Sequence, residues 1–369
     1  MVLALAKEIE MRKSEFDGIV VESIYFGGGT PSQFPADDIR FLINAVFNNY
    51  TICANPEITL EANPDDLCFR DNFELSSRAL SIHNFTTKSC RAQSRDIFEA
   101  YKSAGINRLS IGIQSFFEDD LQMMNRAHNA TEAKDCLKIA VQYFDNISLD
   151  LIYGIPGMSN DKWTKNIETA LSFGINHISS YALTVEPKTV LQKQIASKKI
   201  EAPKDEVAQE HFEILVTKLT DAGFIHYELS NFGREHYFSR NNSSYWLGKN
   251  YIGIGPSAHS FNGTSRSWNI ANNAIYIKKI NATELPSEKE MLSKSDLYNE
   301  YVMTGLRTIW GVSLSKIESD FGPEYHQYIV QQSKKHLTEN LLYIENQILK
   351  PTAKGKFLTD GIASDLFKI

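Results

Sequence analysis

Apolar residues recur along the chain in two alternating rhythms. Short runs rich in β-branched and aromatic residues fall at 19–26, 58–62, 108–114, 147–153, 177–183 and 224–229. Between them lie stretches whose apolar residues stand three and four apart, at 36–47, 131–144, 163–173 and 206–222. The first pattern reads as strands bounded by turn formers, the second as helices with one buried face. Their alternation predicts parallel βα units. Leu3, Leu5, Ala6 and Ile9 add an amphipathic helix over 2–13, with no strand before it.

Each predicted strand ends in glycine or polar residues: Gly27, Gly28 and Gly29; Glu61-Ala62-Asn63-Pro64; Gln114-Ser115; Asp150 to Gly154. Groups so placed collect at the carboxyl ends of the strands, where a βα barrel carries its site. The expected fold is therefore α/β, a partial parallel βα barrel. From 287 onward the rhythm changes to helices with one short strand-like element, 341–349, and no glycine loops. The chain of 369 residues exceeds the usual size of one core. We expect residues 1–286 to form the barrel and its extension, and 287–369 a small, mainly helical, winged-helix-like domain. Residues 68–95 fit neither rhythm. A loop of that length inside a βα unit is uncommon, so it reads as an insertion.

Charge narrows the function classes. With 38 Lys and Arg against 45 Asp and Glu, the net charge is -7. That disfavours a nucleic-acid surface and supplies no polybasic membrane anchor. No apolar run approaches the roughly 18 residues of a spanning helix. Residues 1–13 carry charges every few positions rather than a signal-peptide core. A cytoplasmic protein with no integral membrane segment and no nucleic-acid partner is expected. Cys53, Cys68, Cys90 and Cys136 lack both the density of a disulfide scaffold and the close spacing of zinc or iron–sulfur sites, so all four read as free thiols and no metal ligands are assigned.

The candidate chemistry sits at the strand ends. Three consecutive glycines remove every Cβ from the turn after residue 26, so backbone groups can lie directly against a ligand. Thr30-Pro31 then reads as a helix start, with Thr30 or Ser32 as cap and free N–H groups on the ligand side. A tight connection alone is the structural alternative. Glu61 stands just before a proline stop, where it serves a ligand or caps the next helix. Gln114 is polar where an apolar strand ends. Asp150 has apolar neighbours on both sides, a costly place for a charge unless it is paired or bound. Arg126 supplies that partner or binds an anion. Together, a glycine loop, two carboxylates, an amide and an arginine suit a ligand with an ammonium, a carboxylate and ribose hydroxyls.

The segments IYFGGGTPS, ITLEANP, INRLSIGIQSF, LDLIYGIPG, HISSYALTVEP, YELSNF and YIGIGPSAHSF, spread from Ile24 to Phe261, resemble the radical S-adenosylmethionine (radical SAM) family of oxygen-independent coproporphyrinogen III oxidases. Weaker agreement at 300–311 and 358–362 extends the resemblance over nearly the whole chain. It implies that Gly28, Gly29, Thr30, Glu61, Gln114, Arg126, Asp150 and Ala182 contact S-adenosylmethionine. It also implies a [4Fe-4S] cluster held by a CxxxCxxC loop on a first strand. That loop is absent here, and none of the four scattered cysteines replaces it. The expectation is a radical SAM barrel that has lost its first strand, since a barrel without it exposes an edge; a degenerate member is the alternative.

Two branches of the family differ in activity. Oxidases convert two propionates of coproporphyrinogen III to vinyl groups by hydrogen abstraction with a 5′-deoxyadenosyl radical. The heme chaperone branch, HemW-like, binds heme and delivers it to partner proteins, and is marked by His-Asn-x-x-Tyr-Trp. Here the run is Asn241-Asn242-Ser243-Ser244-Tyr245-Trp246. Three positions match, and the moderate length fits the chaperone branch. Asn241 replaces the histidine with a poor iron ligand; His236 and His259 are the other candidates. Heme or a porphyrinogen, and heme-accepting proteins, are the partners implied. Open alternatives are a coproporphyrinogen III oxidase, a non-radical βα-barrel enzyme for a phosphate ligand, and a purely structural interaction protein.

Overall fold

The computed structural model describes residues 1–67 and 90–369, with side chains from residue 95 onward in the second stretch. Most of the insertion expected at 68–95 lies outside the described residues. Its last part is helical, because the helix that precedes the third strand spans Cys90–Ala104.

Strands β1 (Val20–Phe26), β2 (Thr51–Ala62), β3 (Arg108–Gln114), β4 (Ile147–Tyr153) and β5 (His177–Ala182) run parallel, each beside its predecessor. β6 (Ile225–Glu228) and β7 (Asn231–Gly233) complete a seven-stranded sheet in the order β1-β2-β3-β4-β5-β7-β6. The five parallel strands curl into a half barrel. The expected run at 224–229 is a strand, but not another parallel one: only Leu229 and Ser230 separate β6 from β7, and a link that short closes a hairpin. β7 then joins β5 antiparallel.

Helices Ala36–Asn49, Cys90–Ala104, Ala130–Tyr143, Asn160–Ser172 and Asp205–Asp221 alternate with the strands and cover the convex face. Their starts are written locally. Asn129 accepts from the N–H groups of Thr131 and Glu132 while Glu132 reaches back to the Asn129 N–H, a capping box; Ser159 accepts from Lys162 N–H. The buried seam joins Ile39, Leu60, Phe98, Leu109, Leu149 and Trp163. Burial of each such side chain is worth roughly 1.5–3 kcal/mol.

β8 (His259–Phe261), β9 (Ser265–Asn269) and β10 (Ser287–Met291) form a separate antiparallel sheet. Residues 287–291 thus hydrogen-bond to β9, and the division expected at 287 falls inside this sheet. The second core begins just beyond it. There the helices Lys294–Leu306, Leu314–Phe321, Pro323–Thr338 and Thr359–Asp365 bury Tyr298, Val302, Ile317 and Ile329. They pack with a three-stranded sheet of β11 (Val312–Ser313), β12 (Leu342–Glu345) and β13 (Ile348–Pro351). The single element expected at 341–349 is therefore a hairpin. Asn346 and Gln347, at φ 51° and 62°, form its tight turn. Among the described residues, no helix is long and apolar enough to cross a membrane.

Candidate functional site

Alternate residues of the parallel strands face the concave side, and that parity is polar. Register pairs align Ser23 with Glu57, Tyr25 with Thr59, Thr59 with Arg108, Glu61 with Ser110, Ser110 with Ser148, Ser148 with His177, and Asp150 with Ser179. The opposite parity, including Ile58, Leu60, Leu109, Ile111, Leu149 and Ile178, is the apolar face under the helices. The half barrel therefore has a polar lining.

Its floor carries the helix Arg240–Trp246. The backbone N–H groups of Arg240 and Asn241 each donate to Glu57 at 3.1 Å, and Asn242 Nδ2 donates to Asn231 Oδ1 at 3.2 Å. The Asn241 side chain lies against Ser23, Oδ1 to Oγ 3.5 Å. Arg108 is buried nearby, its Nε 3.9 Å from Glu57. His177 is held between Ser148 Oγ and Tyr227 Oη, both at 2.7 Å. Its burial, followed by the Arg108 charge, lowers its pKa well below the usual histidine value, so it is neutral.

The rim carries the residues singled out in the sequence. Gly28 and Gly29 take φ 75° and 66°, open only to glycine without strain. Gly28 N–H donates to Glu61 Oε2 at 3.1 Å, and Tyr25 Oη donates to Glu61 Oε1 at 2.6 Å. Glu61 is thus fixed by two donors and does not cap the next helix. Gln114, at φ 66° where the β3–β4 register slips, folds its amide back across the strand: a Cβ on Gly112 would lie 2.8 Å from Gln114 Nε2 and 3.3 Å from Asn63 Oδ1. Asp150 opens onto the concavity, and burial, then the charge of Glu61, lifts its pKa to about 7; Arg108, Ser179 and Arg126 oppose the rise. Arg126 stands past the helix Glu118–Met123. Desolvation of its guanidinium lowers its pKa, opposed by the fields of Asp150 and Asp65. Ala182 ends β5 opposite Tyr153, exposed at the same end of the sheet. Glu61, Gln114, Asp150 and Ala182 thus share one mouth with the glycine loop.

Thr30 departs from expectation. Pro31–Gln33 is a single 3-10 turn without a side-chain cap, and the long helix waits until Ala36. Ser32 does not cap it: its hydroxyl donates to Asp66 at 2.7 Å. Pro35, which has no N–H to give, sets that later start. The sequence reading missed Tyr25, Arg108, Ser179 and Tyr181. Arg108 had a signal in its even spacing from Gln114 on the same strand, whereas Ser179 and Tyr181 alternate with the selected Ala182 and are placed on the lining only by the pairing of Ser179 with Asp150; the charges of Asp150 and Glu61 both act on Tyr181.

A carboxyl whose folded pKa is raised contributes stability at low pH and loses it as pH climbs through the folded value. For Asp150 that window runs from about 4, the unfolded value, to about 7. We expect Asp150→Asn to be more stable than the parent at pH 8 by on the order of 2 kcal/mol, allowing for solvent in the concavity, with the gap closing near pH 4. Melting temperatures at pH 8 and pH 5 measure it. An equal gap at both pH values would mean that the carboxyl is not perturbed.

The lining suits a ligand with cationic and hydroxyl groups. Among the described residues it offers no cysteine set for an iron–sulfur cluster. Among the described residues no three His, Cys, Asp or Glu side chains gather closely enough to hold a metal ion. Cys53 lies in the first half of β2, away from the rim, and Cys136 is buried in the convex-side core.

Comparisons with known proteins place this architecture. Residues 4–170 match the family model of the Radical SAM superfamily, and residues 292–358 that of the HemN C-terminal domain. The chain is similar to the heme chaperone HemW of Mycobacterium tuberculosis, with 28% identity over 99% of this chain and 85% of the relative. It is similar to HemW of Bacillus subtilis, 29% identical over 92% of this chain and 86% of the relative. The mitochondrial radical S-adenosyl methionine domain-containing protein 1 of Mus musculus is 30% identical over 93% of this chain and 74% of the relative. The solved structure of coproporphyrinogen III oxidase (HemN) from Escherichia coli superposes with a TM-score of 0.78 at 20% identity, covering 99% of this chain and 82% of that one, which shows the fold. A family in which S-adenosylmethionine and a [4Fe-4S] cluster are implied accounts for the curled parallel sheet, the glycine loop at its rim and the second core after it: the chain belongs to the radical SAM superfamily.

Proposed function

We propose that this protein is a cytoplasmic heme chaperone that binds heme and passes it to acceptor proteins, with S-adenosylmethionine seated at the rim. The observation that carries the reading is similarity over nearly the full chain to several proteins named heme chaperone HemW. In this reading Gly28 and Gly29 offer backbone groups, Glu61 and Asp150 accept from the ligand's ammonium and ribose hydroxyls, and Gln114, Arg126, Thr30 and Ala182 complete the seat. S-adenosylmethionine, when bound, supplies a sulfonium and an adenosyl group there. The chain's residues position it: Tyr25 and Gly28 hold Glu61 in one orientation, while Arg108 and Arg126 favour the ionised form of Asp150. The cluster has no ligand set among the described residues, so no step is assigned through it.

A phosphate ligand fits the rim poorly. Gly28 N–H already serves Glu61, and two carboxylates would repel a phosphate. The oxidase reading rests on a likeness in fold to HemN. Titration with heme separates it from the chaperone reading: a saturable Soret shift near one equivalent is expected, with no protoporphyrinogen IX formed from coproporphyrinogen III above a no-protein control. Conversion of coproporphyrinogen III would place the protein with the oxidases, and absence of any Soret change would remove the chaperone reading.

A further inference from the structure

If the chain binds heme, its iron needs a ligand, and Asn241 is an amide whose side chain faces Ser23 on the floor of the half barrel. The histidines can be sorted by what already occupies their nitrogens. Of the nine, His83 lies outside the described residues. His177 is engaged at both nitrogens, by Ser148 and Tyr227. His226 is likewise engaged, by Leu229 O and Lys356. His128 holds Ile113 O and lies 3.7 Å from Asp65. His211 accepts from Gly154 N–H inside the core, stacked on Trp163. His336 is buried against Asp365. Three remain whose rings make no hydrogen bond among the described residues: His236, His259 and His326.

Of these three, His259 lines a cavity. The hollow, of about 460 Å³, is bounded by His259 and Trp268 on paired strands β8 and β9, by Ile270 and Pro286, and by Lys279 and Glu288 at its margin. Its size falls within the roughly 300–1,000 Å³ of small-molecule sites. The His259 and Trp268 rings lie 6.2 Å apart and tilted by 33°, so a flat ligand coordinated by the imidazole would meet an aromatic neighbour. Lys279, in the last turn of the helix Asn273–Asn281, is exposed and offers a cation for a carboxylate. Glu288 carries the opposite charge on the same margin, which favours a ligand whose acidic groups lie on one side.

We propose that this cavity is the porphyrin seat of the protein, with His259 as axial ligand to the iron, Trp268 beside the macrocycle and Lys279 facing a propionate. The inference rests on the heme reading above and specifies where on the chain it acts. It locates the ligand in the separate sheet of β8, β9 and β10 rather than at the motif position, residue 241.

The test is a heme titration of the full chain followed by Soret absorbance and electron paramagnetic resonance, in parallel with His259→Ala, His259→Met, His259→Gly, His236→Ala and His326→Ala. His259→Ala should raise the Kd by at least about tenfold and lose the nitrogen-ligated spectrum. His259→Met should keep binding with a shifted ligand-field signature, and added imidazole should restore the parent spectrum to His259→Gly. His236→Ala and His326→Ala should titrate as the parent does. If the parent binds heme and His259→Ala binds it equally well with the same spectrum, the site is wrong while the chaperone reading stands. If the parent itself does not bind heme, both fall. Circular dichroism matched to the parent confirms that any loss belongs to the ligand, as expected for an exposed side chain at the end of a short strand.

Discussion

Glu61→Gln should lose ten- to a hundredfold in affinity for S-adenosylmethionine, measured by calorimetry or equilibrium dialysis at pH 8. The carboxylate sits at the end of β2 with one oxygen taken by Tyr25 Oη and the other by Gly28 N–H, so its position is set before any ligand arrives. A carboxylate has more lone pairs than those two donors use, and the spare ones are free to accept from a ligand. Glutamine keeps the shape and one acceptor oxygen but presents an NH₂ where the other stood. It therefore removes the charge from the contact and sets an N–H against either the Gly28 N–H or the tyrosine hydroxyl. A charge-assisted hydrogen bond is worth about 1.5–3 kcal/mol, which is that range of affinity. Tyr25→Phe, which leaves the charge and removes only one support, should cost less. Affinity for Glu61→Gln within twofold of the parent would remove Glu61 from the binding site.

The second large effect is on stability. Arg307→Met should lower the unfolding midpoint in urea by the equivalent of about 3–5 kcal/mol, the usual result of stranding a buried charge. The charge stranded is Glu228, whose side chain is 0% exposed against 16% for Arg307. Glu228 accepts from Arg307 Nε at 3.1 Å and Nη2 at 3.0 Å, from Asn231 Nδ2 at 2.6 Å and from Ser230 N–H at 3.0 Å. Arg307 also pairs with Asp360 at 2.6 Å and lies over the Trp246 ring. It therefore ties the second core to β6 and to the floor helix in one contact. Glu228→Leu combined with Arg307→Met should recover part of the loss, because the unpaired charge is gone; a double variant as unstable as the sum of the two singles would show that packing, not charge, holds the junction.

The parallel half of the sheet was legible because its strands are buried on one face by helices and lined on the other. β-branched runs, helical spacing and strand-end glycines agree locally with the global answer. The hairpins were harder to read. The run expected at 224–229 covers β6 alone and the three-residue β7 leaves no run of its own, while β12 and β13 look like one element, because the turns are made by Leu229-Ser230 and Asn346-Gln347 rather than by glycine or proline. At the site, residues isolated in apolar surroundings, such as Asp150, were easy to select. Tyr25 and Tyr181 were not, since an aromatic in a strand is ordinarily core, and only the pairing register puts their parity on the polar lining. Thr30 was over-read: Thr-Pro after glycines resembles a helix start, but Pro35 moves the true start five residues on.

The helix Arg240–Trp246 is pinned to β2 by two backbone donors on Glu57 and to β7 by Asn242 on Asn231, so it bridges two strands that are not neighbours in the sheet. Its last residue, Trp246, lies under Arg307 of the second core. Loosening of the second core therefore has a direct mechanical route, through one short helix, to the polar lining of the half barrel.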